Sequence, residues 1–288
     1  MQPLDYRGDR EPGSESPRSD DERSGPAGGG GESRGSKTVL VKICGITSEA
    51  DALLAVGLGA DAVGFVFAPS RRQVSPQAVR QIVERVPKEI LTVGVFRNES
   101  PVRVVEITNS IGLRAAQLHG NETAKDTRWV AERVPLTIKA FPAGHGNITR
   151  LDSYGAELVM VDAESPGSGE VFDWRLAEGV VDPARLIVSG GLHAGNVSDA
   201  IEHLHPFGVD VSTGVEAMVG VKDPRKLRAF VVAARRAAGE SDEVRITGLG
   251  LHEPLHVDEV DEAERTGEAG EAGRAEEAVN PYDWEGDT

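Results

Sequence analysis

Between residues 37 and 240 the chain alternates short apolar runs rich in β-branched side chains with longer segments whose apolar positions recur at helical spacing. The runs fall at residues 39–43, 62–67, 91–96, 114–118, 137–140, 158–161, 186–188 and 209–211, and each is followed within a few residues by Gly, Pro, Asn or Ser. Buried strands of a parallel sheet, joined by crossover helices, read this way, because such strands are covered on both faces. Helix starts are marked independently. Thr47-Ser48-Glu49 before Ala50, Ser75-Pro76 before Gln77 and Ser100-Pro101 before Val102 are N-cap signals, two of them with Pro in the first turn.

Eight strand–helix units in about 200 residues match a closed α/β barrel of eight parallel strands, the (β/α)8 or TIM barrel, near its lower size limit; an open doubly wound sheet usually stops at five or six strands. The pattern predicts a barrel domain over residues 37–239, flanked by tails at 1–36 and 240–288. The first tail is Gly-rich with few apolar residues and the last is a run of Glu, Ala and Gly; neither can bury enough surface to offset its ordering entropy, so both are expected to be disordered.

The net charge of -16 changes meaning once it is located. Residues 1–36 hold 8 acids and 5 bases, residues 240–288 hold 16 and 3, and the middle is balanced at 23 of each. A neutral core argues against nucleic-acid binding, which needs a basic patch. A lone cysteine among 288 residues excludes an internal disulfide framework. The first residues lack a secretory apolar run, and the most apolar stretch is broken by Asp61 and three glycines. The expected setting is the cytoplasm, with no membrane span and a monomeric barrel.

In such a barrel, chemistry sits at the C-terminal strand ends. Strand periodicity puts Val41 and Ile43 toward the helices and Lys42 and Cys44 toward the barrel axis, with the ammonium below the thiol, where it is expected to favour thiolate. The same parity sends Asp162 inward at the end of the sixth run, just before the Gly-rich stretch Pro166-Gly167-Ser168-Gly169. Ser189-Gly190-Gly191-Leu192 and Ser212-Thr213-Gly214 follow the seventh and eighth runs, and offer backbone N–H groups beside small residues. Paired loops at these two positions form the recurrent phosphate site of the fold. Arg71 and Arg72, after the second run, are candidates for holding a carboxylate. Asp210 shares the inward parity of Ser212; because the eighth strand closes against the first, it is expected to pair with Lys42.

Val41-Lys42-Ile43-Cys44-Gly45-Ile46-Thr47, Gly64-Phe65-Val66-Phe67, Gly94-Val95-Phe96, Gln117-Leu118-His119-Gly120, Phe172-Asp173-Trp174, Ser189-Gly190-Gly191-Leu192 and Asp210-Val211-Ser212-Thr213-Gly214-Val215-Glu216 together resemble the phosphoribosylanthranilate isomerases of tryptophan biosynthesis. The resemblance runs over residues 38–236 and leaves the tails outside. It implies an Amadori rearrangement of a small phosphorylated substrate without cofactor or metal. By this resemblance the general base falls on Cys44 and the general acid on Asp162. Arg72 falls near the anthranilate, and Gly190, Gly191, Ser212, Thr213 and Gly214 fall at the phosphate. The related sugar isomerases of histidine biosynthesis place an Asp where Cys44 stands, and a non-catalytic phosphate-binding barrel is the alternative from another class.

Three further signals carry no function. His252-Glu253-Pro254-Leu255-His256 matches a zinc-binding pattern in letters, but Pro254 breaks the helix that the pattern needs. His203 and His205 are two residues apart and do not share one helix face. The sequons opening at Asn98, Asn121, Asn147 and Asn196 lack the secretory signal that would make them used.

Overall fold

A computed structural model describes residues 39–163, 174–179 and 181–239. The two tails, the Pro166–Gly169 stretch, Phe172-Asp173 and the histidines at 252 and 256 lie outside these residues. Eight parallel strands close into a barrel in sequence order: β1 (Leu40–Ile43), β2 (Ala62–Val66), β3 (Leu91–Phe96), β4 (Ala115–Leu118), β5 (Thr137–Pro142), β6 (Leu158–Asp162), β7 (Leu186–Val188) and β8 (Gly208–Val211). The seam is the β1–β8 pairing, with Lys42 opposite Asp210. At the foot of that seam a Cβ on Gly208 would lie 2.9 Å from the Leu40 carbonyl oxygen, so glycine lets the two strands meet.

The predicted caps hold. Ser48 accepts from the Asp51 N–H to start α1 (Glu49–Gly57), Ser75 from the Ala78 N–H to start α2 (Pro76–Val83), and Ser100 from the Arg103 N–H to start α3 (Pro101–Ile111). α4 (Ala124–Ala131), α5 (Val197–Leu204) and α6 (Pro224–Ala237) complete the α-helices among the described residues. A short antiparallel hairpin, β9 (Glu216–Met218) with β10 (Val221–Lys222), stands between β8 and α6.

The strand–helix rhythm is incomplete at two crossovers. Between β5 and β6 the chain makes a 3-10 segment, Ile148–Ser153, and between β6 and β7 the described residues hold only three-residue 3-10 turns. Gly144 and Gly146 in the first crossover, and Gly179 and Pro183 in the second, interrupt any longer helical run.

Two apolar layers follow from strand parity. Val41, Ile43, Val63, Phe65, Val159 and Val161 join the helices in the larger core, while Val93, Ala115, Ile138, Ala140, Leu158, Met160 and Ile187 fill the barrel. Along the inward positions, polarity rises toward the C-terminal ends: β4 runs Ala115, Gln117, His119, and β6 runs Leu158, Met160, Asp162. The apolar layers therefore form a floor, and the polar groups stand on it. No described helix is long and apolar enough to cross a membrane.

Candidate active site

A cavity of about 850 Å³, counting its open solvent, lies at the C-terminal end of the barrel. Its lining includes Cys44, Asp162, Gly190, Gly191, Ser212, Thr213 and Gly214, so the candidate acid, base and phosphate-loop residues meet in one place, whereas Lys42, Arg71 and Arg72 are not part of the lining.

Cys44 enters from β1. Its N–H extends the seam ladder to the Val211 carbonyl at 2.8 Å, and its own carbonyl accepts from Lys222 Nζ at 2.6 Å, so both ends of its peptide frame are held. Gly45 takes φ +73, and a Cβ there would lie 2.5 Å from Arg72 Cδ. A Cβ on Gly64 of the neighbouring strand would sit 3.0 Å from the Cys44 sulfur and 3.1 Å from Lys42 Nζ. Glycine at position 64 thus leaves room for the thiol and the ammonium side by side.

Lys42, fully buried, donates from Nζ to Asp210 Oδ1 at 2.6 Å, and Ser189 Oγ donates to Asp210 Oδ2 at 3.3 Å. Burial opposes the charge on Lys42, but Asp210 and Cys44 outweigh it, and its pKa lies above the ordinary lysine value. Lys42 does pull the thiol toward thiolate, as expected, but burial outweighs that pull. Burial pushes the Cys44 thiol above its ordinary value, Lys42 and Lys222 pull it down, and Asp210 pushes it up again. The ammonium is shared with a carboxylate, so its pull on the thiol is partly spent on Asp210.

Asp162 enters from the far side of the barrel on β6, 5% exposed. Its Oδ1 accepts from the Ala163 N–H at 2.8 Å and its Oδ2 lies 3.1 Å from His119 Nε2. His119 Nδ1 in turn accepts from the Gln117 side-chain amide at 2.8 Å. The backbone on both sides of His119 is gripped from below: Lys139 Nζ donates to the Leu118 carbonyl at 3.3 Å, to the Gly120 carbonyl at 2.6 Å and to Glu122 Oε2 at 2.7 Å. Glu122 also accepts from the N–H groups of Asn98 and Gly120. Burial alone would raise its pKa, yet Lys139 and backbone N–H donors, that of Asn98 among them, hold it below the ordinary carboxylate value.

The loops after β7 and β8 touch. Gly190 takes φ +87, and a Cβ on it would lie 2.5 Å from the Ala163 nitrogen and 2.9 Å from Asp162 Oδ1. A Cβ on Gly214 would fall 2.0 Å from the Leu192 carbonyl oxygen. Ser212 Oγ is buried without a hydrogen-bond partner among the described residues, although its residue lines the cavity. A buried unpaired hydroxyl is costly, and an anion in the cavity would satisfy it.

Arg72 differs from its expected place. It is 2% exposed and does not line the cavity; its Nε donates to Glu216 Oε1 at 2.8 Å and its Nη2 to Glu216 Oε2 at 2.6 Å, with Thr213 Oγ1 at 3.4 Å. A buried carboxylate needs such a two-pronged partner, and Lys222 supplies a second cation at 3.0 Å. Arg72 therefore braces the loop after β8 from behind. Arg97, two residues beyond the inward Val95, is the arginine in the cavity wall.

Sequence reasoning gave no role to His119, Gln117 or Arg97, although all three continue the inward alternation of their strands past Ala115 and Val93. Parity was the signal that could have found them. Lys222 arrives from the β9–β10 hairpin, and no strand periodicity marks it.

A family model described as N-(5'-phosphoribosyl)anthranilate (PRA) isomerase matches residues 41–233. An N-(5'-phosphoribosyl)anthranilate isomerase of Desulforudis audaxviator is 47% identical over 205 residues, covering 69% of this chain and 98% of the relative. A solved phosphoribosyl anthranilate isomerase in complex with reduced 1-(o-carboxyphenylamino)-1-deoxyribulose 5-phosphate aligns at TM-score 0.62 and 40% identity, over 69% of this chain and all of the other. A further solved relative, described as monomers generated from the dimeric phosphoribosylanthranilate isomerase of Thermotoga maritima, aligns at TM-score 0.61 and 39% identity over the same 69% of this chain and 100% of its own. Barrel, cavity and aligned sequence agree: this chain belongs to the N-(5'-phosphoribosyl)anthranilate isomerase family.

Proposed function

We propose that this chain isomerises N-(5-phosphoribosyl)anthranilate to 1-(2-carboxyphenylamino)-1-deoxyribulose 5-phosphate in tryptophan biosynthesis, with Cys44 as general base and Asp162 as general acid. The observation that carries the assignment is that these two groups, brought in on β1 and β6 at opposite sides of the barrel, line the same cavity. The reaction is an aldose–ketose rearrangement and moves only protons. Asp162 protonates the furanose ring oxygen, the C1–O bond breaks, and the anilino nitrogen lone pair forms the C1=N bond of a Schiff base. Cys44, as thiolate, removes the proton from C2; those electrons form the C1=C2 bond of an enolamine and neutralise the nitrogen. Tautomerisation then gives the ketone. The net change needs no oxidant, and the residues at hand supply each proton transfer.

The loops carrying Gly190, Gly191, Ser212, Thr213 and Gly214 hold the phosphate in this reading, and the unpaired Ser212 hydroxyl supports it. Arg97, in the cavity wall, is the cation available to the anthranilate carboxylate. Arg72 acts behind Thr213.

The test is consumption of fluorescent phosphoribosylanthranilate by the purified chain, followed continuously without added metal or cofactor. Cys44→Ser and Asp162→Asn are each expected to lose about 10²-fold or more in kcat, the contribution usual for a general acid or base. Full activity in Cys44→Ser would overturn the mechanism, and turnover of the histidine-pathway sugar substrate in place of this one would overturn the substrate.

A further inference from the structure

We infer that His119 and Gln117 form a proton store behind Asp162, in which the orientation of the Gln117 amide sets whether the acid carries its proton. The inference rests on the reading of Asp162 as the general acid and names what loads it.

Asp162 has two oxygens, and Oδ1 accepts from a backbone N–H at 2.8 Å. A peptide N–H only donates, so a transferable proton belongs on Oδ2, which faces His119 Nε2 at 3.1 Å. That gap holds one hydrogen. When Oδ2 carries it, Nε2 must be bare and the ring proton must sit on Nδ1. An Nδ1–H then needs an acceptor, and the group 2.8 Å from Nδ1 is the Gln117 amide.

In the structure that amide presents its NH2 end. With that end presented Nδ1 accepts, and the arrangement that satisfies both contacts puts the ring hydrogen on Nε2, donating to an ionised Oδ2. The other end of the amide, Gln117 Oε1, is buried without a partner among the described residues, in a side chain 1% exposed. Turning the amide by half a revolution brings Oε1 to Nδ1–H, frees Nε2 to accept, and puts one additional proton on Oδ2. The two arrangements are the unloaded and loaded acid. In the loaded one the proton can pass from Oδ2 to Nε2 and back without any other atom moving, so His119 holds the charge of the pair as imidazolium.

Accessibility gives the direction of supply. The His119 side chain is 21% exposed against 7% for Asp162, so solvent protons reach the acid through the imidazole. After Asp162 Oδ2 gives its proton to the ring oxygen, the bare Nε2 of His119 takes a proton from water and passes it to Oδ2, which reloads the acid. The charged groups around the pair are Arg97 from the end of β3, Lys139 and Glu122 gripping the backbone beside His119, and Cys44 with Asp210 on the opposite wall. None of these lies between His119 and Asp162.

The test uses the full chain with its histidines labelled with nitrogen-15. The His119 Nδ1 resonance is expected to change from bare to protonated as the pH is lowered, and one limb of the kcat–pH profile to follow the same midpoint. Gln117→Glu, which always offers an acceptor to Nδ1–H, is expected to raise that midpoint by about one unit, and Gln117→Met, which offers none, to lower it similarly. His119→Asn is expected to lower kcat about tenfold or more with KM little changed. Variants that alter kcat at every pH without moving the limb, or an Nδ1 that stays bare wherever the enzyme is active, would overturn the relay. The wild-type resonance decides by itself if a variant does not fold. Full activity in Asp162→Asn would instead overturn the acid assignment, a different result from an unmoved limb.

Discussion

Lys42 and Asp210 face each other across the seam of the barrel, paired in register and joined at 2.6 Å, one layer beneath Cys44. The bond that closes the cylinder and the charge that tunes the thiol are therefore the same contact.

Removing the carboxylate from this pair should make Cys44 more acidic. Burial raises the thiol and Asp210 adds to the rise, so Asp210→Asn removes a negative charge and leaves Lys42 to the sulfur alone. The midpoint for alkylation of the thiol is expected to fall by about one unit. Cys44 is the one cysteine of the chain, so the alkylation rate against pH reads this group and no other. An unchanged or higher midpoint would show that Asp210 does not act on Cys44.

The grip on His119 is testable as a coupling. Lys139→Met leaves Glu122 buried without its cation and releases two carbonyls, and is expected to cost about 3 kcal/mol in urea unfolding, the range for breaking a buried pair. The double variant Lys139→Met, Glu122→Gln should be less destabilised than the two single changes added together. Additivity would mean that the two side chains do not work as a pair.

The contact between the loops after β7 and β8 predicts a glycine effect. Alanine at 214 must push the Leu192 carbonyl away, since its Cβ would otherwise sit at 2.0 Å. Gly214→Ala is expected to raise KM about tenfold and to destabilise by roughly 1–3 kcal/mol, the usual cost of overpacking. Gly57→Ala, at the end of α1 where no atom lies within 4 Å, is the control and should be neutral or stabilising by about 0.5–1 kcal/mol.

Acid should unfold the barrel through named carboxylates. For Glu122 and Glu216 burial is outweighed, by Lys139 in one case and by Arg72 and Lys222 in the other, so both pKa values fall below the ordinary 4.5. A depressed carboxylate contributes stability that is complete above its unfolded value and is lost as pH falls through its folded one. The urea midpoint is expected to drop as pH falls below 4.5, and Glu122→Gln should make that drop shallower. An equally steep drop in the variant would remove Glu122 from the account.

Much of this was legible along the chain. The runs at 91–96 and 186–188 coincide with β3 and β7, the other strands differ by a residue or two at their ends, and the serine caps at 48, 75 and 100 stand where the helices begin. Parity also placed Lys42, Cys44, Asp162 and Asp210 on the axis, and the seam pairing of Lys42 with Asp210 followed from barrel closure. Where the rhythm misled, the cause was local: glycines at 144 and 146 kept a crossover from forming an α-helix.

The sequence by itself determined the cylinder and which side chains look into it, because alternation along a strand is a local property and closure of eight such strands leaves one axis. The tertiary structure decided what those side chains do to one another. Whether Lys42 serves a thiol or a carboxylate, whether Arg72 reaches the cavity or Glu216, and whether His119 meets Asp162 depend on ångström distances between residues far apart in the chain. Charge interactions and hydrogen bonds are set by those distances and by burial, neither of which a pattern of apolar and polar letters contains.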